Sequence, residues 1–199
     1  MSRKPGRSKS PPAAPRGVQD TLRKALALHQ SGQMAAAQAL YREVLEAEPK
    51  NVDGLHLLGV SLVQSGDAAA GAGLIRQALA LRPDLPGAHN NLGLACRTLK
   101  QPAEALDAYD RAVALKPDDT AAHFNRALLL EGMGRREEAL AAYDRTLATR
   151  PDHAEALSNR GVLLSALGKP LEALASYDRA LSAKPGLAAA HANRGAVLA

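Results

Sequence analysis

A step of 34 residues governs this chain. Prolines stand at positions 49, 83, 117, 151 and 185, and the segment YDRAVALKPD beginning at Tyr109 returns as YDRTLATRPD at Tyr143 and YDRALSAKPG at Tyr177. Tyr41, Tyr109, Tyr143 and Tyr177 share one phase of the step, and Ile75 fills the remaining rung. A fixed period of this size means a stacked array of small units, none of which can bury its apolar face alone. Within each period, apolar residues recur at helical spacing on both sides of a short turn such as Gln30-Ser31-Gly32-Gln33, so the unit is a helix–turn–helix. The pattern predicts an all-α chain with units over 18–51, 52–85, 86–119, 120–153 and 154–187, then the first helix of an incomplete sixth over 188–199. Pro102 and Pro170 fall in the first turn of second helices, where a missing N–H is harmless. Asp118 and Asp152 follow the repeat proline and are the expected N-caps, with Glu155 completing a capping box after Asp152.

Charge is distributed unevenly. The formal net charge is +5, yet Arg3, Lys4, Arg7, Lys9 and Arg16 lie within residues 1–17, which contain no acid. That leaves 20 of the 25 basic residues facing all 20 acidic ones, so the array itself is formally neutral. The Pro- and Ser-rich stretch 1–17 has little to bury and is expected to be disordered. No apolar run follows it, so it does not read as a secretory signal, and nothing approaches a membrane span. The single cysteine, Cys96, cannot form an internal bridge, and the cytoplasm is the default compartment.

Taken together, these positions resemble the tetratricopeptide repeat. With the repeat proline as residue 32 of a unit, the eighth position reads Ala25, Gly59, Gly93, Ala127, Gly161, Gly195 and the twentieth Ala37, Gly71, Ala105, Ala139, Ala173. Both places need small residues because the two helices of a unit cross there. The resemblance covers 18–199 and implies a right-handed superhelix of antiparallel helix pairs. Its usual large aromatic at position four is replaced by Thr21, Leu55, His89, His123, Leu157 and His191, and Arg126, Arg160 and Arg194 replace the usual leucine at position seven.

A catalytic search finds nothing. His89, His123 and His191 share one phase, so they sit on different units about 10 Å apart, too far for one metal to hold two. Cys96 lies among apolar helix positions and reads as a buried, inert thiol. Gly132 and Gly134 flank a helix turn, with no strand before them, and form no phosphate loop. Neither a catalytic residue, a metal nor a cofactor is expected.

The inner face, lined in such repeats by first helices, carries the clearest functional pattern. Asn91, Asn125, Asn159 and Asn193 occupy the sixth position of four consecutive units. An amide both donates and accepts, so a ladder of them can pair with the backbone of an extended peptide; asparagine here is also common in such repeats without that role. Asn90, Phe124, Leu94 and Leu128 accompany the ladder and suit an extended or helical peptide with apolar anchors, or simply pack within the superhelix. The basic residues of chaperone-tail carboxylate clamps are missing, Arg23 alone matching. Asp110, Asp144 and Asp178 are expected to be solvated or to pair with Arg126, Arg160 and Arg194 between units.

The ladder is also similar to the repeat arms of O-linked N-acetylglucosamine transferases, which hold protein substrates by their backbone for a separate catalytic domain. The predicted role is therefore a non-catalytic scaffold that binds a protein or peptide. The alternatives are a substrate-docking arm of a larger glycosyltransferase-like enzyme and, more remotely, contact of the basic tail with nucleic acid or a membrane surface. Ala192, Ala196, Val197 and Leu198 on the last helix predict a chain that continues or self-associates there.

Overall fold

The computed structural model describes residues 16–198. Among the described residues there are eleven helices and no strand: α1 (Arg16–Gln30), α2 (Met34–Ala47), α3 (Val52–Gln64), α4 (Ala68–Leu81), α5 (Pro86–Thr98), α6 (Pro102–Leu115), α7 (Thr120–Gly132), α8 (Arg136–Thr149), α9 (Ala154–Ala166), α10 (Pro170–Ala183) and α11 (Ala188–Leu198). Because α1 starts at Arg16, the last two residues of the basic N-terminal stretch are helical, not part of a disordered tail. The rest of that stretch, and the tail contacts expected of it, lie outside the described residues.

Consecutive helices pack as five hairpins, α1–α2 through α9–α10, and α11 packs against α10 and α9. Each second helix also touches the following first helix. First helices meet one another directly (α1 with α3, α3 with α5, α5 with α7, α9 with α11), while no second helix packs on another in this way among the described residues. The array is an α-solenoid that bends with its first helices on the inside.

The core is a continuous seam between the helix layers. Tyr41, Ile75, Tyr109, Tyr143 and Tyr177 are its largest fully buried side chains, one per hairpin. Each lies opposite the small residue at the helix crossing. A Cβ on Gly93 or Gly161 would stand 2.6 or 2.5 Å from the ring of Tyr109 or Tyr177. In the α3–α4 hairpin isoleucine replaces tyrosine, and the backbones come closer. A Cβ on Gly59 would lie 2.8 Å from the Gly71 carbonyl oxygen, and one on Gly71 would lie 2.5 Å from that of Gly59. No such contact surrounds Gly195 on α11, and Leu198 is 60% exposed.

The caps correct one sequence expectation. Asp119, not Asp118, caps α7, accepting from the Ala122 N–H at 3.1 Å. His153, not Asp152, caps α9 through Nδ1, with the Ala156 N–H at 3.3 Å. The reason is the turn itself: the N–H groups of Asp119 and His153 bond back to the carbonyls of Lys116 and Arg150, so proline and the following aspartate are consumed inside the turn. Glu155 pairs instead with Lys184, at 2.8 Å.

Between the helices of each hairpin the chain turns through the left-handed region, with φ of 79° at Gly32, 96° at Gly66, 73° at Gly134 and 72° at Gly168. Lys100 occupies the same phase at 59°, where a Cβ is disfavoured. Lys100→Gly is therefore expected to stabilise the protein by about 0.5–1 kcal/mol, readable as a higher urea midpoint with an unchanged slope.

The candidate peptide-binding groove

The inner surface is built from one face each of α3, α5, α7, α9 and α11. Position nine contributes Val60, Leu94, Leu128 and Val162, all half-buried or exposed. Between adjacent first helices lie shallow hollows. One is bounded by Val60, Val63, Gln64, Asn91 and Leu94. Another, of about 270 Å³, is bounded by Val162, Ser165, Ala166, Tyr177, Asn193, Ala196 and Val197. A third, of about 500 Å³, is bounded by Arg97 on α5, Pro102 at the start of α6, Leu128, Leu129 and Gly132 on α7, and Met133. Leu94 and Leu128 thus line hollows between units.

The four ladder asparagines are all partly exposed, and three are braced against the unit before. The Asn91 Nδ2 donates to His56 Nε2 at 3.0 Å, and the Asn125 Nδ2 donates to the Asn90 side-chain oxygen at 3.0 Å. Phe124 stands where His56 and Asn90 do, and it has no acceptor. Asn159 therefore turns to the Tyr143 hydroxyl, donating at 3.1 Å. In all three the Oδ1 atom makes no protein hydrogen bond, and it is not fully buried, since Tyr109 Oη is the sole buried unpartnered side-chain polar atom among the described residues. The ladder is thus half committed: amide nitrogens tie unit to unit, and acceptor oxygens remain available.

Two residues named from the sequence take structural places. Asn90 is the acceptor for Asn125. Phe124 is partly buried, its ring 4.6 Å from that of His153 and 6.0 Å from that of Tyr143. Burial, reinforced by nearby Arg150, lowers the His153 pKa below its ordinary value, which keeps Nδ1 free to cap α9. Burial likewise lowers that of His56.

Three further histidines form a structural set. Nε2 of His89, His123 and His191 donates to the carbonyl of the repeat proline six residues earlier, Pro83, Pro117 and Pro185, at 2.8–2.9 Å. Each straps its first helix to the preceding turn. No group of three or more His, Cys, Asp or Glu side chains suited to a metal forms among the described residues. Cys96 is fully buried, and burial pushes its thiol up, away from the reactive thiolate. The regular aspartates pair between units: Arg126 with Asp110, Arg160 with Asp144 and Arg194 with Asp178, at 2.5–2.6 Å. Being half exposed, such pairs add at most about 0.2–1 kcal/mol each.

The sequence pattern of positions five, six and nine did not include Arg97, at position twelve. Helical spacing carries the same face on to that position, so the signal was present in the periodicity.

The tetratricopeptide repeat family matches residues 22–86, 56–120 and 124–196, more than half of the chain. The chain belongs to the tetratricopeptide repeat family. Proteins of this fold are interaction scaffolds, and so is this one. It is similar to the crystal structure of MamA, with a TM-score of 0.75 and 25% identity over 81% of this chain and 94% of that one. It is also similar to YrrB, described as a TPR protein with an unusual peptide-binding site, with a TM-score of 0.72 and 26% identity over 87% of this chain and 90% of that one. The fold alone is shared with TTC0263, a thermophilic TPR protein of Thermus thermophilus, at 24% identity and a TM-score of 0.69 over 91% of this chain and 98% of that one. No curated protein matches the sequence. Among the described residues no helix of this tetratricopeptide array is long and apolar enough to cross a membrane.

Proposed function

We propose that the inner groove holds an extended peptide segment of a partner protein, without catalysis. The observation that carries this reading is the split role of the ladder. The Oδ1 atoms of Asn91, Asn125 and Asn159 recur once per unit with no protein donor, beside the aliphatic rungs Leu94, Leu128 and Val162. An extended chain of the polyproline-II type rises roughly 3.1 Å per residue with three residues per turn and no internal hydrogen bonds, so every third residue brings a backbone N–H on the same side to the next rung, about 10 Å on. A helical ligand has its backbone N–H groups already bonded and cannot use these acceptors. Extended binding is therefore favoured over helical. Backbone recognition makes the ladder tolerant of sequence, and the aliphatic hollows add the preference. YrrB, with its described peptide-binding site, is consistent with a groove of this kind. The likeness to glycosyltransferase repeat arms rests on the same ladder and extends this proposal only to how a substrate would be held.

The test is peptide affinity by fluorescence anisotropy, using extended peptides selected from a random display library against the intact protein. Asn125→Ala combined with Asn159→Ala is expected to weaken binding at least about tenfold, two lost hydrogen bonds at roughly 1 kcal/mol each. Asn125→Asp and Asn159→Asp, which keep an acceptor oxygen, separate loss of the acceptor from loss of the inter-unit brace. Unchanged affinity in the alanine double variant would sink the ladder reading.

A further inference from the structure

We propose that Arg97 makes the groove selective for one acidic side chain within an otherwise uncharged, extended peptide. This deepens the peptide reading and rests on it. Among the described side chains, the arginines without an ion pair or hydrogen bond are Arg42, Arg97, Arg111, Arg136 and Arg145. The other four are exposed to water, which satisfies them; Arg97 is the half-buried one. It borders the hollow of about 500 Å³ whose other walls are Pro102, Leu128, Leu129, Gly132 and Met133. A guanidinium at the rim of an apolar cleft is short of acceptors, and a carboxylate supplies two in matching geometry.

A second, independent observation lies beside it. Tyr109 is fully buried, and its hydroxyl has no partner. In the first hairpin the residue twelve positions before the core tyrosine supplies one, His29 for Tyr41 at 3.3 Å. In the fourth, Glu131 does so for Tyr143 at 2.6 Å. In the third hairpin that residue is Arg97, which offers only N–H groups and leaves the Tyr109 O–H without an acceptor. The two groups sense each other: burial pushes the Tyr109 hydroxyl up to about 12, with the Arg97 charge opposing. Two donors without an acceptor thus lie in one unit, Arg97 half-buried at the groove and the Tyr109 hydroxyl fully buried.

The surrounding charges define the ligand further. Position twelve reads His29, Val63, Arg97, Glu131 and Ser165 along the inner helices, so Arg97 is flanked at that position by an apolar residue on one side and an acid on the other. Glu131 already accepts the Tyr143 hydroxyl and repels a second acid. Arg97 also lies mid-groove, with the aliphatic rungs of position nine running past it in both directions. A ligand spanning them passes through, so its carboxylate belongs to an internal Asp or Glu and not to a chain end. The partner segment is aliphatic and uncharged apart from one acid at the Arg97 register.

The test uses fluorescent peptides of one uncharged aliphatic and polar host sequence carrying Glu, Gln or Lys at a single scanned position, against the intact protein. The Glu peptide is expected to bind about tenfold tighter than its Gln counterpart, the size of one charge-assisted hydrogen bond. The preference should shrink with salt and vanish in Arg97→Gln. Tyr109→Phe should raise the melting temperature of the free protein and leave the Glu preference in place, because that hydroxyl is fully buried. Equal affinity for Glu and Gln peptides, or a preference that survives Arg97→Gln, overturns the proposal while leaving the groove reading intact. Failure of every host peptide to bind overturns both.

Discussion

Gly71→Ala is expected to destabilise the array by about 3 kcal/mol, at the upper end of overpacking effects, whereas Gly93→Ala should cost well under half as much. The two substitutions add the same methyl group at hairpin crossings. On Gly71 the new Cβ would stand 2.5 Å from the Gly59 carbonyl oxygen and 2.6 Å from a Val63 methyl. Backbone cannot rotate away as a side chain can, so α3 and α4 must separate along their whole contact. On Gly93 the methyl meets the Tyr109 ring at 2.6 Å, and Ala25 and Ala127 already face buried tyrosines in their own hairpins. A ring can shift; a carbonyl held in a helix cannot. Since solenoid stability is a sum of unit and nearest-neighbour terms, the lesion should be local. Hydrogen exchange should show lost protection in α3 and α4 and their immediate neighbours, with α9 and α10 unaffected. Equal destabilisation by both substitutions would mean that the α3–α4 approach is looser than the structure shows. Adding Ile75→Tyr to Gly71→Ala restores the arrangement of the α5–α6 hairpin (Gly93, Ala105, Tyr109) and should recover part of the loss.

Removing the same hydroxyl from two core tyrosines is expected to move stability in opposite directions. Tyr143→Phe should destabilise by about 1–2 kcal/mol. Its hydroxyl donates to Glu131 at 2.6 Å and accepts from Asn159 at 3.1 Å, so it joins the two helices of its hairpin to the first helix of the next. Tyr109→Phe should stabilise by up to about 1 kcal/mol, because it removes a buried polar group that has no partner. Urea titrations of the two variants read the signs directly. If both destabilise alike, Tyr109 has an acceptor and the inference about Arg97 loses its second support. If the signs differ, the third hairpin carries a group that is unfavourable in the free array, as expected where stability has been traded for binding.

Much of this organisation was legible in the sequence, because one period sets one phase. The 34-residue step placed every tyrosine at the buried seam, the small residues of positions eight and twenty at the crossing of each complete hairpin and the asparagines on successive inner helices. The same phase kept the histidines of position four from converging, and it aligned Asp110, Asp144 and Asp178 with the arginines of the following unit.

What tertiary structure decided was pairing across units, which depends on how one hairpin is rotated against the next. Asn125 meets Asn90 and Asn91 meets His56, each across 35 residues, one more than the repeat. That offset belongs to the packing and leaves no mark in the periodicity. It consumes the amide nitrogens of the ladder and frees the oxygens. The caps moved by one residue for a similar reason: closing the turn after the repeat proline fixed which side chain faced the next helix. Phe124 was drawn between Tyr143 and His153, where burying its ring outweighs presenting it to a ligand. A repeat thus specifies from its own residues which face each side chain shares, and the stacking of units determines which side chains are satisfied there and which, like Arg97 and Tyr109, are left without a partner.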